Sequence, residues 1–168
     1  MTVTYDSLAT VAITSDTAAI TFSSISANFT DLRLIVSAVG NSGAIGQNLA
    51  MLLGMGSGYT QTQIGFNGSN VTQGRLTSQT ALYPGWYTNF STTETLLCYI
   101  DILDYASNRR KEVISVAGKG SQTLASNRID LTAGSVNQTF AIDQIDLVPT
   151  AGSFAAGTVV ALYGIKKE

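Results

Sequence analysis

Between Asp31 and Val39 the chain alternates. Leu32, Leu34, Val36 and Ala38 fall on one side of an extended backbone, Asp31, Arg33 and Ser37 on the other, which is the period-two signature of a strand with one buried face. The segment TLLCYIDIL, Thr95 to Leu103, is apolar on both sides apart from Asp101. That suits a central strand covered on one face by the core and on the other by a neighbour, such as a partner subunit. The run VVALYGI, Val159 to Ile165, would be sticky as a free tail, so it is expected to pair inside a sheet, with Lys166, Lys167 and Glu168 as its solvated end.

The remaining predicted strands are Thr10 to Thr14, Ala18 to Phe22, Leu49 to Leu53, Glu112 to Ala117, Arg128 to Thr132 and Ala141 to Val148, and the TLLCYIDIL strand is expected to start at Glu94. Turn-forming clusters separate them at Ser15-Asp16, Ser26 to Asn28, Gly40 to Gly43, Asn67 to Asn70, Gly118 to Gly120 and Pro149 to Gly152. Helical periodicity is absent except in NLAMLLGM, Asn48 to Met55, which comes nearest to a short helix. Short strands with turn-rich joints predict an all-β, antiparallel β-sandwich of jelly-roll-like type. One domain spanning residues 1–168 is expected, with 1–8 as a candidate ordered N-terminal arm.

Composition changes the picture of the surface. Only 12% of the 168 residues are charged, against roughly 25% in an average soluble domain. The surface must be built from uncharged residues, chiefly the 17 Ser and 21 Thr. So little charge protects a monomer poorly against association, and a homo-oligomer is expected. Net charge is −2, and the nine Lys and Arg are scattered apart from Arg109-Arg110-Lys111. Phosphate-backbone binding needs a basic surface, so no nucleic-acid partner is expected. The start MTVTYDSLATVAITSD lacks the cationic and apolar regions of a signal peptide. No segment approaches the ~20 apolar residues of a membrane span, so the expectation is synthesis in the cytosol and no membrane partner.

The candidate chemistry is sparse. With no histidine in the chain, Ser-His-Asp and Cys-His catalysis and most zinc sites lose the imidazole they need. Cys98, the one cysteine, sits mid-strand in an apolar run and reads as a buried structural thiol. Asp101/Asp104 and Asp143/Asp146 are three apart, which on a strand sends the two carboxyls to opposite faces and gives no ready-made glycosidase pair. LGMGSGYT, Leu53 to Thr60, resembles a phosphate cradle only superficially, since the lysine of the phosphate-binding loop is missing. No calcium-loop spacing occurs, and the sequons at Asn28, Asn67, Asn70, Asn89 and Asn137 are expected by chance in a chain rich in Ser and Thr. The expectation is a non-enzymatic protein with no cofactor and no metal.

One cluster has the chemistry to bind something. YPGWYTNF brings Tyr83, Trp86, Tyr87 and Phe90 around a Pro84-Gly85 turn, with Asn89 beside them. Aromatic faces next to an amide can stack on sugar rings and bond their hydroxyls, so Tyr83, Trp86, Tyr87 and Asn89 are candidate contacts for a glycan or a subunit. The plainer reading, which the sequence favours, is a loop packing its aromatics on the sandwich or into a subunit contact.

Four segments carry a resemblance: AAITFSSISANFTDLRLIVSAVGNSG (Ala18 to Gly43), GFNGSN (Gly65 to Asn70), TTETLLCYIDILDYASNRRKEVISVAG (Thr92 to Gly118) and AIDQIDLVPTAGSFAAGTVVALYGIKK (Ala141 to Lys167). They resemble a family of small β-rich bacteriophage virion proteins, found in phages of marine and freshwater bacteria and described as structural or tail-fibre-like. Leu49 to Tyr87 departs from the pattern. The resemblance implies a jelly-roll-like knob on the virion surface, made in the host bacterial cytoplasm, with no catalytic residues to transfer. The chain shows no heptads or repeats from which to build a fibre shaft, which favours a capsid-decorating or cement protein bound to phage capsid proteins. The alternative is a tail-associated receptor-binding or adaptor subunit that recognises host surface glycans. Three-fold symmetry in capsids and fibre tips makes a trimer the expected oligomer.

Overall fold

The computed structural model describes residues 4–43, 46–54, 56–121 and 127–166. Its strands are β1 (Thr4–Ala12), β2 (Ile20–Phe22), β3 (Asp31–Ala38), β4 (Leu49–Leu53), β5 (Tyr59–Phe66), β6 (Val71–Gln79), β7 (Glu94–Leu103), β8 (Lys111–Ser121), β9 (Arg128–Val136), β10 (Ile145–Pro149) and β11 (Val159–Lys166). No helix occurs among the described residues. An antiparallel sheet of eight strands, ordered β1-β11-β3-β7-β8-β9-β5-β6, packs against one of three, ordered β2-β10-β4. The protein is an all-β sandwich.

Its winding is that of a long hairpin rolled up on itself. β1 pairs with β11, β2 with β10 and β3 with β7. β4 is met by the segment 81–90 through bridges from Met51 to Leu82 and from Gln47 to Phe90. These four pairings, two in each layer, make the double Greek key of a jelly roll. Two excursions leave this frame: the β5–β6 hairpin after β4, and β8–β9 after β7. They meet where β9 pairs with β5, and together they lengthen one sheet far beyond the other.

The core lies between the three-stranded sheet and the frame half of the large one. Leu32, Leu34, Val36 and Ala38 of β3 are fully buried, as are Leu96, Cys98, Ile100 and Ile102 of β7. Opposite them Leu49, Met51 and Leu53 of β4 and Ile145 and Leu147 of β10 are buried as well. Phe90 stacks on Phe154 with centroids 5.9 Å apart and planes 6° from parallel, which closes one end of the sandwich. β11 runs between β1 and β3, bonded to both, and points Val160 and Leu162 into the core. VVALYGI is therefore an interior strand. Lys167 and Glu168 of its expected solvated end lie outside the described residues.

Several expectations are corrected. Of the candidate arm, residues 4–8 form the first half of β1, an edge strand paired with β11, and residues 1–3 lie outside the described residues. Leu49 to Leu53, by contrast, is the expected strand rather than a short helix, paired with β10 as β4. Gly118 to Gly120 is not a turn but part of β8, bonded to Leu97, Leu96 and Thr95. Asp31, expected to face solvent, is buried and accepts the Asp104 amide at 2.8 Å. β5 and β6 are unpredicted strands, and Asn67 to Asn70 is the turn that joins them.

Because β11 is bonded on both sides, deleting residues 159–168 is expected to abolish soluble folded protein. Leu162→Ala, which leaves the ladders intact, is expected to cost about 2–4 kcal/mol in urea denaturation. A truncated chain that melted like the full one would contradict the interior placement of the strand.

Candidate functional site

In the extension β8-β9-β5-β6 the usual polarity of a sandwich reverses toward its far edge. The inner face of β9 presents Asp130 and Thr132, and that of β5 presents Gln61 and Gln63, all of them buried. The three-stranded sheet does not reach this far. Its place is taken by YPGWYTNF, which lies across the polar inner face.

Each candidate residue of that segment has a partner in the fold. Tyr83 is fixed through its backbone: its amide donates to Gln61 Oε1 at 2.7 Å and its carbonyl accepts from Gln61 Nε2 at 3.2 Å. Its ring meets Trp86 edge-on, with centroids 4.6 Å apart at 72°. Gly85 makes the turn at φ +75° and lies against the Ala117 methyl, where a side chain would collide. Tyr87 lies under the Arg128 guanidinium, 4.7 Å from ring centroid to cation. Thr88 Oγ1 donates to Asp130 Oδ2 at 2.5 Å. Asn89 Oδ1 accepts from Lys119 Nζ at 3.0 Å, and Lys119 also pairs with Glu94 at 3.0 Å. Tyr83, Trp86, Tyr87 and Asn89 are half-buried. Their aromatic faces are largely committed to Arg128 and to one another.

Arg128 and Asp130 organise the ground beneath. Asp130 Oδ1 accepts a hydrogen bond from Arg128 Nε at 3.0 Å, and Arg128 reaches across β5 to bond Thr72 on β6. Gly65, between those strands, leaves the room; a methyl group there would strike the Asp130 carboxylate and the guanidinium. A buried carboxylate with a cation and a hydroxyl as partners meets the conditions under which burial of charge is tolerated.

The outer face of the same strands is apolar. One cross-strand row runs Tyr99, Val116, Leu131, Ile64, and the next runs Leu97, Gly118, Ile129, Phe66, Val71. Each large side chain in these rows is between 41% and 62% exposed. TLLCYIDIL supplies the first residue of each row, so the outward apolar residues noted in the sequence are present and are uncovered in the single chain. Two shallow depressions open here, one floored by Leu131 and Ile64, the other by Tyr99, Val116 and Ile129. Polar groups border the face: Asp101 holds Arg33 by two hydrogen bonds at 2.6 and 2.7 Å, which keeps the guanidinium above its ordinary pKa, and Arg75 and Glu112 are exposed beyond.

The other candidate groups are held in structural roles. Cys98 is buried, and desolvation pushes its thiol far above the ordinary range. Asp146 accepts from Thr21 at 2.6 Å and from Gln144 at 2.7 Å, while Asp143 is exposed. Lys111, whose burial lowers its pKa, donates to the Ser107 carbonyl and ties down the β7–β8 connection. Among the described residues no three Asp, Glu, Cys or His side chains come together as metal ligands. No family model matches the chain, and no match appears among curated proteins or solved structures.

Asp130→Ala would leave Arg128 and Thr88 without their acceptor beneath the aromatic segment. The expected loss is about 3–5 kcal/mol of stability, read by denaturant unfolding, together with a change in Trp86 fluorescence. Asp130→Asn, whose amide oxygen can still accept from Arg128 while its NH2 donates to the Thr88 hydroxyl, is expected to recover part of that loss.

Proposed function

We propose that this chain is a non-enzymatic structural subunit of a bacteriophage particle, displayed on the particle surface as a capsid-decorating or cement protein. The observation that carries the reading is the apolar outer face of β7, β8, β9 and β5. Exposed apolar patches of this kind mark surfaces that are covered in an assembly, and here the face coincides with a surface unusually poor in charge. The jelly-roll frame and the resemblance of the four segments to small phage virion proteins supply the class of assembly.

The hydrogen bonds and ring contacts of Tyr83 to Phe90 favour a packing element over a sugar platform. Stacking on a glycan needs a free aromatic face and unspent polar groups around it. Tyr87 has given one face to Arg128, and Asn89 has given its carbonyl to Lys119. The segment covers the inner face of β9 and β5, as a strand of the small sheet would if it extended that far.

Trp86→Ala separates decoration from host recognition. For a decorating protein the expected result is lower occupancy on particles or lower particle stability, with cell adsorption unchanged. Copy number in purified particles gives the second measurement: the expected stoichiometry follows the capsid lattice. Normal occupancy with lost adsorption, or only a few copies per particle, would replace this reading with that of a tail-associated glycan-binding subunit.

A further inference from the structure

We infer that two copies of this chain pair face to face through the outer surface of β7, β8, β9 and β5, about a two-fold axis running roughly along the strands between β8 and β9. The inference rests on reading the chain as an assembly subunit and names what covers its apolar face.

The size of the face fits a second copy. Nine large side chains on these strands, β6 included, are each 41% to 62% exposed. At roughly 80 Å² apiece they present on the order of 700 Å², close to the ~800 Å² per partner of a stable protein interface and above the usual largest patch on a monomer. The border is polar at one end: Arg33 with Asp101, and Arg75, lie in the row beside Tyr99 and Ile64, with Glu112 one row beyond, as at the edge where an interface core gives way to its rim.

The register selects the axis. Turning a copy about a line parallel to the strands, between β8 and β9, exchanges β8 with β9 and β7 with β5 while keeping each cross-strand row opposite itself. Leu131 then faces Val116 of the second copy, and Ile64 faces Tyr99. In the next row Phe66 faces Leu97, and Ile129 faces Gly118, the gap in the row that a large side chain can fill. One row further, Thr62 comes opposite Asp101, so a hydroxyl donor meets a carboxylate, and at the margin Arg75 comes opposite Arg33, whose charge Asp101 already balances. Turning the copy instead about a perpendicular line through the Tyr99 row, the centre of the three rows, would set Asp101 against Leu97 and Arg75 against Val71, burying charge on hydrocarbon. Sheets stacked about 10 Å apart with strands near parallel are an ordinary packing of two such surfaces.

The inverted polarity of the extension gives independent support. Asp130, Thr132, Gln61 and Gln63 face the sandwich interior, while Ile129, Leu131, Ile64 and Phe66 face out. In a strand pair with one face wet, this order is backward. It is the order expected when the outward face is the one kept dry.

The test uses the purified full-length protein in light scattering at micromolar concentration. The expected mass is twice the 17.6 kDa of one chain. Leu131→Lys is expected to weaken association at least 100-fold and give a monomer, with the circular dichroism spectrum and melting of a folded chain. If Leu131→Lys fails to fold, a mixture of Ile64→Cys and Tyr99→Cys chains provides the second measurement. A short bis-maleimide, which spans the gap between stacked sheets that a disulfide cannot, should link the two variants to each other far faster than either to itself. A monomeric wild-type protein, a trimer, or cross-linking of Ile64→Cys to itself would overturn the inference. A monomer that still occupies particles would refute the pairing and leave the particle assignment standing; a dimer absent from particles would support the pairing and refute that assignment.

Discussion

Polar groups taken out of water must find partners, and in this protein that requirement falls on the part of the large sheet that the small sheet does not reach. Eight strands cannot be covered by three. The chain meets the shortfall by laying 81–90 over β5 and β9 and by furnishing their inner faces with side chains that bond to this irregular cover. Gln61 holds Tyr83 by both backbone groups, and Asp130 holds Thr88 and Arg128. An apolar inner face would have left the backbone groups of the segment without acceptors and donors. Once the inner positions of β9 and β5 are given to hydrogen bonding, the alternation of a strand puts their apolar side chains on the other surface.

The frame of the sandwich was legible because its strands obey the simple rule of one buried face. Leu49 to Leu53 and Glu94 to Leu103 occupy the positions read from pattern alone, and β3 differs by one residue. β5 and β6 escaped notice for a physical reason. YTQTQIGF and VTQGRLTSQ alternate, but in β5 the buried set includes Gln61, Gln63 and Gly65, and a search for apolar periodicity passes over buried glutamine. The Asn67 to Asn70 turn between them was visible, and a hairpin could have been inferred from it. Gly118 and Gly120 misled in the opposite direction. They looked like a turn, whereas inside β8 they are paired residues, and Gly118 leaves a gap in the outer row.

The aromatic cluster was legible as a group, and its partners were not. Nothing in YPGWYTNF points to Arg128 or Lys119, about 40 and 30 residues further on by the numbering, because both contacts depend on β8 and β9 folding back beneath the segment. Asp101, weighed as half of a carboxylate pair, turns out to be the partner of Arg33 across the β3–β7 ladder. The apolar outer face was signalled by TLLCYIDIL alone. EVISVAG, RIDL and QIGF each show one or two outward apolar residues, too few to notice until the register aligns them.

The meeting of β9 with β5 also constrains how the chain can fold. The β5–β6 hairpin and the β7-β8-β9 meander are each local, so each can form early and independently. The ladder joining them pairs residues as distant as Ile64 and Leu131, and the loop-closure entropy for that contact is spent before the sheet rewards it. Until the joint closes, β5 and β9 are both open edges flanked by exposed isoleucine, leucine and phenylalanine. The interval before the joint forms is thus one of exposure to misassociation at high chain concentration during synthesis. Ladder formation between the two excursions closes both of these edges and leaves β1 and β6 at the margins of the described sheet.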